Sequence, residues 1–234
     1  MNTFRNKQFK NELDPKYAFY DCLRSCELKS SSEETLEGCV DSCDWKPSSD
    51  FLDTQKALAV YLIEKITEIS IEYLIKQIES GADFIQIFDS WAGLLNDKQY
   101  EQFIIQPSRK INEEIKKKYP EMPQIFFPRG SKEKLRNFLL DVKCDVISVD
   151  EISEETKIFC MKKNIAIQGN LCPQTLLQGG QKLEKEVKNI LERFKDNTHI
   201  FNLSHGILPK TPIENVQKVI DIVRKSYEFT NKSS

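Results

Sequence analysis

Apolar residues in the stretch 58–78 return every three or four positions: Leu58, Leu62, Ile63, Ile66, Ile69, Leu74, Ile75 and Ile78 among them. That period predicts a long amphipathic helix, capped by Asp53 or Thr54 and ended by Gly81. The pattern then changes. An apolar run over 84–88 opens after Gly81 and closes at Asp89-Ser90, with Trp91-Ala92-Gly93 leading out of it. A buried parallel strand that delivers polar side chains at its carboxyl end reads this way. Four later stretches repeat the plan: 124–127 before Pro128-Arg129-Gly130, 146–149 before Asp150, 165–168 before Gly169-Asn170, and 199–203 before Ser204-His205-Gly206. Helical patterns over 96–118, 132–140, 153–163, 182–194 and 212–229 separate and follow the strands. Strands alternating with helices imply right-handed crossovers and a parallel sheet, so the class is α/β and the site belongs where the five strand ends converge. Five strands alone do not close a barrel, and the last is apolar enough to predict cover on both faces.

Before residue 50 the pattern is different. Four of the seven cysteines fall there, as Cys22-x3-Cys26 and Cys39-x3-Cys43. Residues four apart share a helix face, so two antiparallel helices turning at Ser30-Ser31-Ser32 would bring the pairs together as Cys22–Cys43 and Cys26–Cys39 disulfides. A reduced helix pair with four free thiols fits the same residues equally well, and zinc ranks behind both because structural zinc sites use shorter loops between paired cysteines. The spacing resembles the twin Cys-x3-Cys proteins of the mitochondrial intermembrane space. The expected domains are a helical hairpin over 1–50 and an α/β unit over 51–234, joined through the Pro- and Ser-containing stretch 46–53.

Composition adds exclusions. The net charge is −2 and the charged residues, 30% of the chain, are interspersed. Nothing in that balance draws nucleic acid or an anionic membrane. No apolar run reaches the length of a membrane span, and the beginning of the chain has neither the h-region of a secretory signal nor the character of a transit peptide.

Three blocks then carry a resemblance: GADFIQIFDSWAG from Gly81, IAIQGNLCP from Ile165 and HIFNLSHGILPKTPIENV from His199. In order and spacing they resemble the carboxyl-terminal part of the uroporphyrinogen decarboxylase family, from about Asp53 to Arg224. The resemblance implies a partial (β/α)8 TIM barrel of about five parallel strands, preceded here by the small helical hairpin. It also implies a cofactor-independent carboxy-lyase of heme and porphyrin biosynthesis, which removes the four acetate carboxyls of uroporphyrinogen to give coproporphyrinogen, without metal or organic cofactor. The partner would be uroporphyrinogen or a related tetrapyrrole. Ser90, in FDSWAG, matches the family serine that contacts a substrate carboxylate, against the plainer reading of a helix cap. His205, in NLSHG, matches the cleft histidine. Arg129 stands where the family commonly has a lysine, and adds positive charge at the rim or on the surface. His199 reads as structural, Asp89 as an orienting carboxylate, Trp91 as core packing, and Gly169 and Gly206 as positions of positive φ or close approach.

The departures are as informative. Cys172 replaces a family aspartate, Ser204 a glycine and Glu151 a tryptophan. No stretch before Asp53 matches the family's RQAGRY arginine clamp or its catalytic aspartate. Without the clamp a substrate of eight carboxylates is poorly compensated, and without the aspartate a developing cation lacks its counter-charge. Unpaired sheet edges call for a partner chain or a homo-oligomer. Two readings follow: a decarboxylase-like protein whose isolated chain is weakly active or inactive, or a non-catalytic scaffold or subunit of a mitochondrial assembly, docked through the twin-cysteine hairpin. The compartment is cytoplasmic or mitochondrial, and the intermembrane space if the cysteines are oxidised.

Overall fold

The computed structural model describes residues 56–231. The expected twin-cysteine hairpin, with Cys22, Cys26, Cys39 and Cys43, lies outside the described residues. The chain divides into two units, Met1–Ala59 and Val60–Ser234, and the second holds the sheet.

Helix α1 (Lys56–Glu79) comes first and gives way to Gly81 at φ +99, the left-handed geometry that glycine adopts without steric cost. Strand β1 (Ile85–Asp89) follows, then α2 (Asp97–Tyr100), a π-helical turn (Glu101–Ile105) and α3 (Gln106–Lys118). Next come β2 (Gln124–Pro128), α4 (Leu135–Asp141), β3 (Val146–Ser148), α5 (Glu154–Lys163), β4 (Ala166–Leu171), α6 (Pro173–Gln178), α7 (Gly180–Arg193), β5 (His199–Leu203) and α8 (Ile213–Asn231). The order β1-β2-β3-β4-β5 is sequential and every neighbouring pair is parallel. With right-handed crossovers, a sequential order puts the connecting helices on one side of the sheet, as in a (β/α) barrel and unlike a doubly wound fold.

The two faces therefore differ. Towards the helices, Ile85, Phe126, Ile147, Ile167 and Leu171 join Phe138, Ile115, Leu183, Val187 and Phe194 in one large apolar cluster. Complete burial of such a side chain is worth about 1.5–3 kcal/mol, so this face dominates the stability of the fold. On the opposite face the buried apolar cluster is only Ile125, Val146 and Ala166. That face is concave. Gln168 on β4 reaches Gln86 on β1 with Nε2 to Oε1 at 3.4 Å, although β2 and β3 lie between their strands. A flat sheet would hold those two strands about 14 Å apart, so the sheet curls as the arc of a partial barrel.

Local chemistry explains the boundaries. Asn96 caps α2 in a reciprocal capping box with Gln99, and Ser153 caps α5 by accepting from Thr156 N. Asp145 accepts from Gln124 N at 2.8 Å and pairs with Lys116 at 2.9 Å, tying β2, β3 and α3 at the amino ends of the strands. The predicted helix over 96–118 is interrupted by the π-helical turn, and a short helix after Cys172, α6, goes beyond the pattern. Its signal was Cys172-Pro173, since proline suits a first helical position.

Four expectations are corrected. Trp91 is not core: it is 50% exposed, on the 3₁₀ turn that leaves β1. Leu62, Ile66 and Ile69 of α1 are exposed, so that helix is apolar on more than its packed face. Strand β5 is not covered on both faces, because Ile200 and Asn202, which alternate with His199, Phe201 and Leu203, are exposed on the concave side. Gly206 has neither positive φ nor any neighbour that a Cβ would meet. Ser204, where the family has glycine, likewise lacks positive φ and carries no backbone strain. Gly169 does match its expectation, with φ +134 and a would-be Cβ 2.5 Å from Val149 O.

Candidate functional site

The concave face opens at the carboxyl ends of the strands into a depression of about 430 Å³. Ser90, Arg129 and His205, which come from three different strand ends, all line it. The polar residues Gln86, Ser148, Gln168 and Asn202 also line it, and Phe88, Phe127, Leu203 and Ile207 supply apolar wall. Phe88, 66% exposed, meets Phe127 edge to face with ring centroids 6.3 Å apart. Among the described residues the lining includes one guanidinium and one imidazole but no carboxylate.

The loops that carry Ser90 and Arg129 are fastened to one another. Arg129 N donates to Asp89 O at 3.0 Å, and Gly93 N donates to Arg129 O at 2.9 Å. A Cβ on Gly93 would stand 2.2 Å from Gly130 O, so the loops touch through bare backbone. From the other side Asp150 Oδ2 accepts from Gly130 N at 3.0 Å and Oδ1 from Glu151 N at 3.0 Å. Asn170 Nδ2 in turn donates to Asp150 O at 3.0 Å. The ends of β1, β2, β3 and β4 thus form one connected rim.

Asp89 does not face the depression, because its position in β1 turns it towards the helices. Burial raises its pKa, and backbone hydrogen bonds from Trp91 and Ala92 hold it back. It pins the turn that presents Ser90, as expected of an orienting carboxylate. Nearby, Tyr100 shares a 2.6 Å hydrogen bond with Ser131 Oγ, and burial pushes its phenol pKa up, so it stays protonated. His205 Nδ1 lies 3.1 Å from Gly206 O. With Nδ1 engaged there, Nε2 is the ring nitrogen turned to a ligand.

His199 is separate from the depression. Its ring stacks on Phe194 with centroids 4.5 Å apart, and Nε2 lies 2.7 Å from Gly169 O, for which it is the donor. Burial lowers its pKa from the usual 6.5, with the Gly169 hydrogen bond opposing. Above 6.5 both native and unfolded states are neutral at this site, so its contribution is fully present. As the pH falls below 6.5 the unfolded state takes up the proton first, and stability drops until the native value is passed. Melting curves between pH 7.5 and 5 should show a slope that His199→Gln reduces, and an unchanged slope in the variant would remove this role.

Comparisons with known proteins agree with this geometry. The family model for uroporphyrinogen decarboxylase (URO-D) matches residues 42–226, well over half of the chain. The chain belongs to the uroporphyrinogen decarboxylase family. Among its relatives, the uroporphyrinogen decarboxylase of Rickettsia bellii is 39% identical over 186 residues, covering 80% of this chain and 54% of its own length. That of Rickettsia africae is 34% identical over 252 residues, covering 97% of this chain and 72% of its own length, and that of Rickettsia akari is 33% identical over 242 residues, covering 93% and 72%. The chain therefore spans about half to three quarters of the length of these uroporphyrinogen decarboxylases. The match to the Rickettsia africae enzyme takes in nearly the whole chain, so similarity extends ahead of Asp53, where the sequence motifs showed none.

Family membership and the fold agree: five sequential parallel strands with helices on one side are an arc of the family's barrel. No helix among the described residues is long and apolar enough to cross a membrane. The polar residues inside the depression were missed in the sequence. Their signal was alternation, with Gln86, Phe88 and Ser90 on one side of β1 and Gln168 and Asn170 on one side of β4. Cys172, at the N-cap of α6, makes no side-chain cap hydrogen bond.

Proposed function

We propose that the depression binds uroporphyrinogen or a closely related tetrapyrrole polycarboxylate, and that the isolated chain turns it over at no useful rate. The observation that carries the binding half is the convergence of Arg129, His205 and Ser90 on one depression, which Phe88 and Phe127 also line. A guanidinium forks onto a carboxylate, the imidazole and hydroxyl add single hydrogen bonds, and the aromatic wall covers the apolar ring edge. The second half rests on charge. Decarboxylation of a pyrrole acetate passes through a protonated, cationic ring, and an anion placed against it is the kind of electrostatic help that dominates catalysis. The lining among the described residues supplies a cation and no such anion. This reading also has the outer strands β1 and β5 covered by further polypeptide, because an open parallel edge leaves its backbone N–H and C=O groups unpaired.

Two measurements test the two halves. Fluorescence titration with uroporphyrin I, the oxidised and unreactive ring, should show saturable binding. Anaerobic incubation with uroporphyrinogen, followed by separation of products by carboxyl number, should leave the eight-carboxyl material at the level of a protein-free control. Absence of binding overturns the first half, and coproporphyrinogen well above the control overturns the second.

A further inference from the structure

The floor of the depression contains an uncharged hydrogen-bonding cluster that neither the rim residues nor the family resemblance assigns. Gln168 Nε2 donates to Ser148 Oγ at 3.2 Å and to Gln86 Oε1 at 3.4 Å, which engages both of its hydrogens. Gln168 and Ser148 are only 4% and 5% exposed, while Gln86 is half-buried. With its oxygen accepting from Gln168, Ser148 still has a hydroxyl hydrogen to give, and Gln86 still has its amide hydrogens. Neither has an acceptor among the described residues. Ile125, Val146 and Ala166 lie one step below Ser148 and Gln168 on the same face, in register with Gln86, and their side chains offer no acceptor. Donors this deep are ordinarily answered, and the open side from which an answer can come is the depression itself.

We propose that this floor is a subsite for one carboxylate arm of the bound tetrapyrrole, held by uncharged donors: Ser148 Oγ–H and Gln86 Nε2–H donate to the carboxylate oxygens, and Gln168 fixes both side chains. The proposal rests on the polycarboxylate reading of the site and names where one arm goes. It divides the work of binding. The rim holds carboxylates with Arg129 and His205, where charge attracts at long range and salt screens it. The floor holds one arm by short, directional hydrogen bonds in a place largely closed to water, where they are little screened.

The test uses uroporphyrin I and the full chain. Ser148→Ala and Gln86→Leu should each weaken binding about five- to tenfold, and Gln168→Glu, which places a negative charge against the incoming arm, should weaken it more than either. The salt dependence of the remaining affinity should stay as in the unmodified chain for Ser148→Ala and Gln86→Leu, whereas Arg129→Ala should make it shallower. Gln86 is half-buried, so Gln86→Leu keeps the test open if the variants at the two buried positions fail to fold. Unaltered affinity in Gln86→Leu and in a folded Ser148→Ala, with weakening in Arg129→Ala, overturns the floor subsite and leaves the polycarboxylate reading standing. Absence of binding by the unmodified chain overturns both.

Discussion

Gly93→Ala is expected to destabilise the α/β unit by about 2–3 kcal/mol, the upper part of the range for forcing atoms into filled space. The added methyl would begin 2.2 Å from Gly130 O and 2.5 Å from Gly130 C, and a backbone carbonyl cannot rotate away as the tip of a side chain can. Relief requires the loop after β1 to part from the loop after β2. That movement breaks the hydrogen bond from Gly93 N to Arg129 O and takes Ser90 away from Arg129. The variant should therefore lose affinity for uroporphyrin I along with stability. Gly206→Ala is the control, because its Cβ meets nothing within 4 Å and its φ is ordinary. Urea unfolding curves decide the matter: a midpoint lowered at constant slope in Gly93→Ala and unmoved in Gly206→Ala is the expected result. Equal midpoints for all three proteins would show that the two loops are not in contact.

The second large effect belongs to the rim. Arg129→Ala should weaken uroporphyrin I binding at least about tenfold, which corresponds to about 1.4 kcal/mol. A charge-assisted fork onto a carboxylate at a half-buried position exceeds that value when left unanswered. His205→Ala and Ser90→Ala should each cost a few-fold, since each removes a single hydrogen bond. Arg129→Lys should recover part of the loss, because it restores the charge without the planar fork. All four proteins should melt with the unmodified chain, as these side chains support no core contact. Wild-type affinity in Arg129→Ala would place the anion somewhere other than this depression.

Much of this arrangement was legible from residue patterns because strand ends announce themselves. The five apolar runs become five strands whose ends differ from the runs by at most three residues, and the polar residues after them form the rim. Ser90 and His205 could be named because the motifs around them resemble the family's, and Arg129 because it follows an apolar run at a place where the family commonly has lysine. Their meeting could not be read from spacing, since it depends on how far the sheet curls. The contact between Gln86 and Gln168 records that curl, and it joins residues 82 positions apart. Trp91 was misread because an aromatic residue beside a strand usually finishes in a core, whereas the 3₁₀ turn at Ala92 swings this one outward. Asp150 was visible only as a residue after a strand. Its role as the acceptor for Gly130 N depends on the φ of +73 at Gly130, which no neighbouring residue type discloses. The open side of β5 was missed because an apolar strand in sequence does not reveal which of its faces receives a helix.

The sequential strand order also governs how the molecule is made. Each strand after the first pairs with the one synthesised just before it, so no strand has to wait for a partner encoded far downstream. Once α3 and β2 have left the ribosome they can close on β1, and every later helix and strand adds to a growing edge. Each pairing spans one helical connection, so a strand can join the edge as soon as its own stretch has emerged. The growing edge moves with synthesis from β1 towards β5, and the depression becomes complete only when the loop bearing His205 has emerged. A nascent chain arrested before that loop would already hold Ser90 and Arg129 in register while lacking the His205 imidazole, so the depression is completed late in the building of this unit.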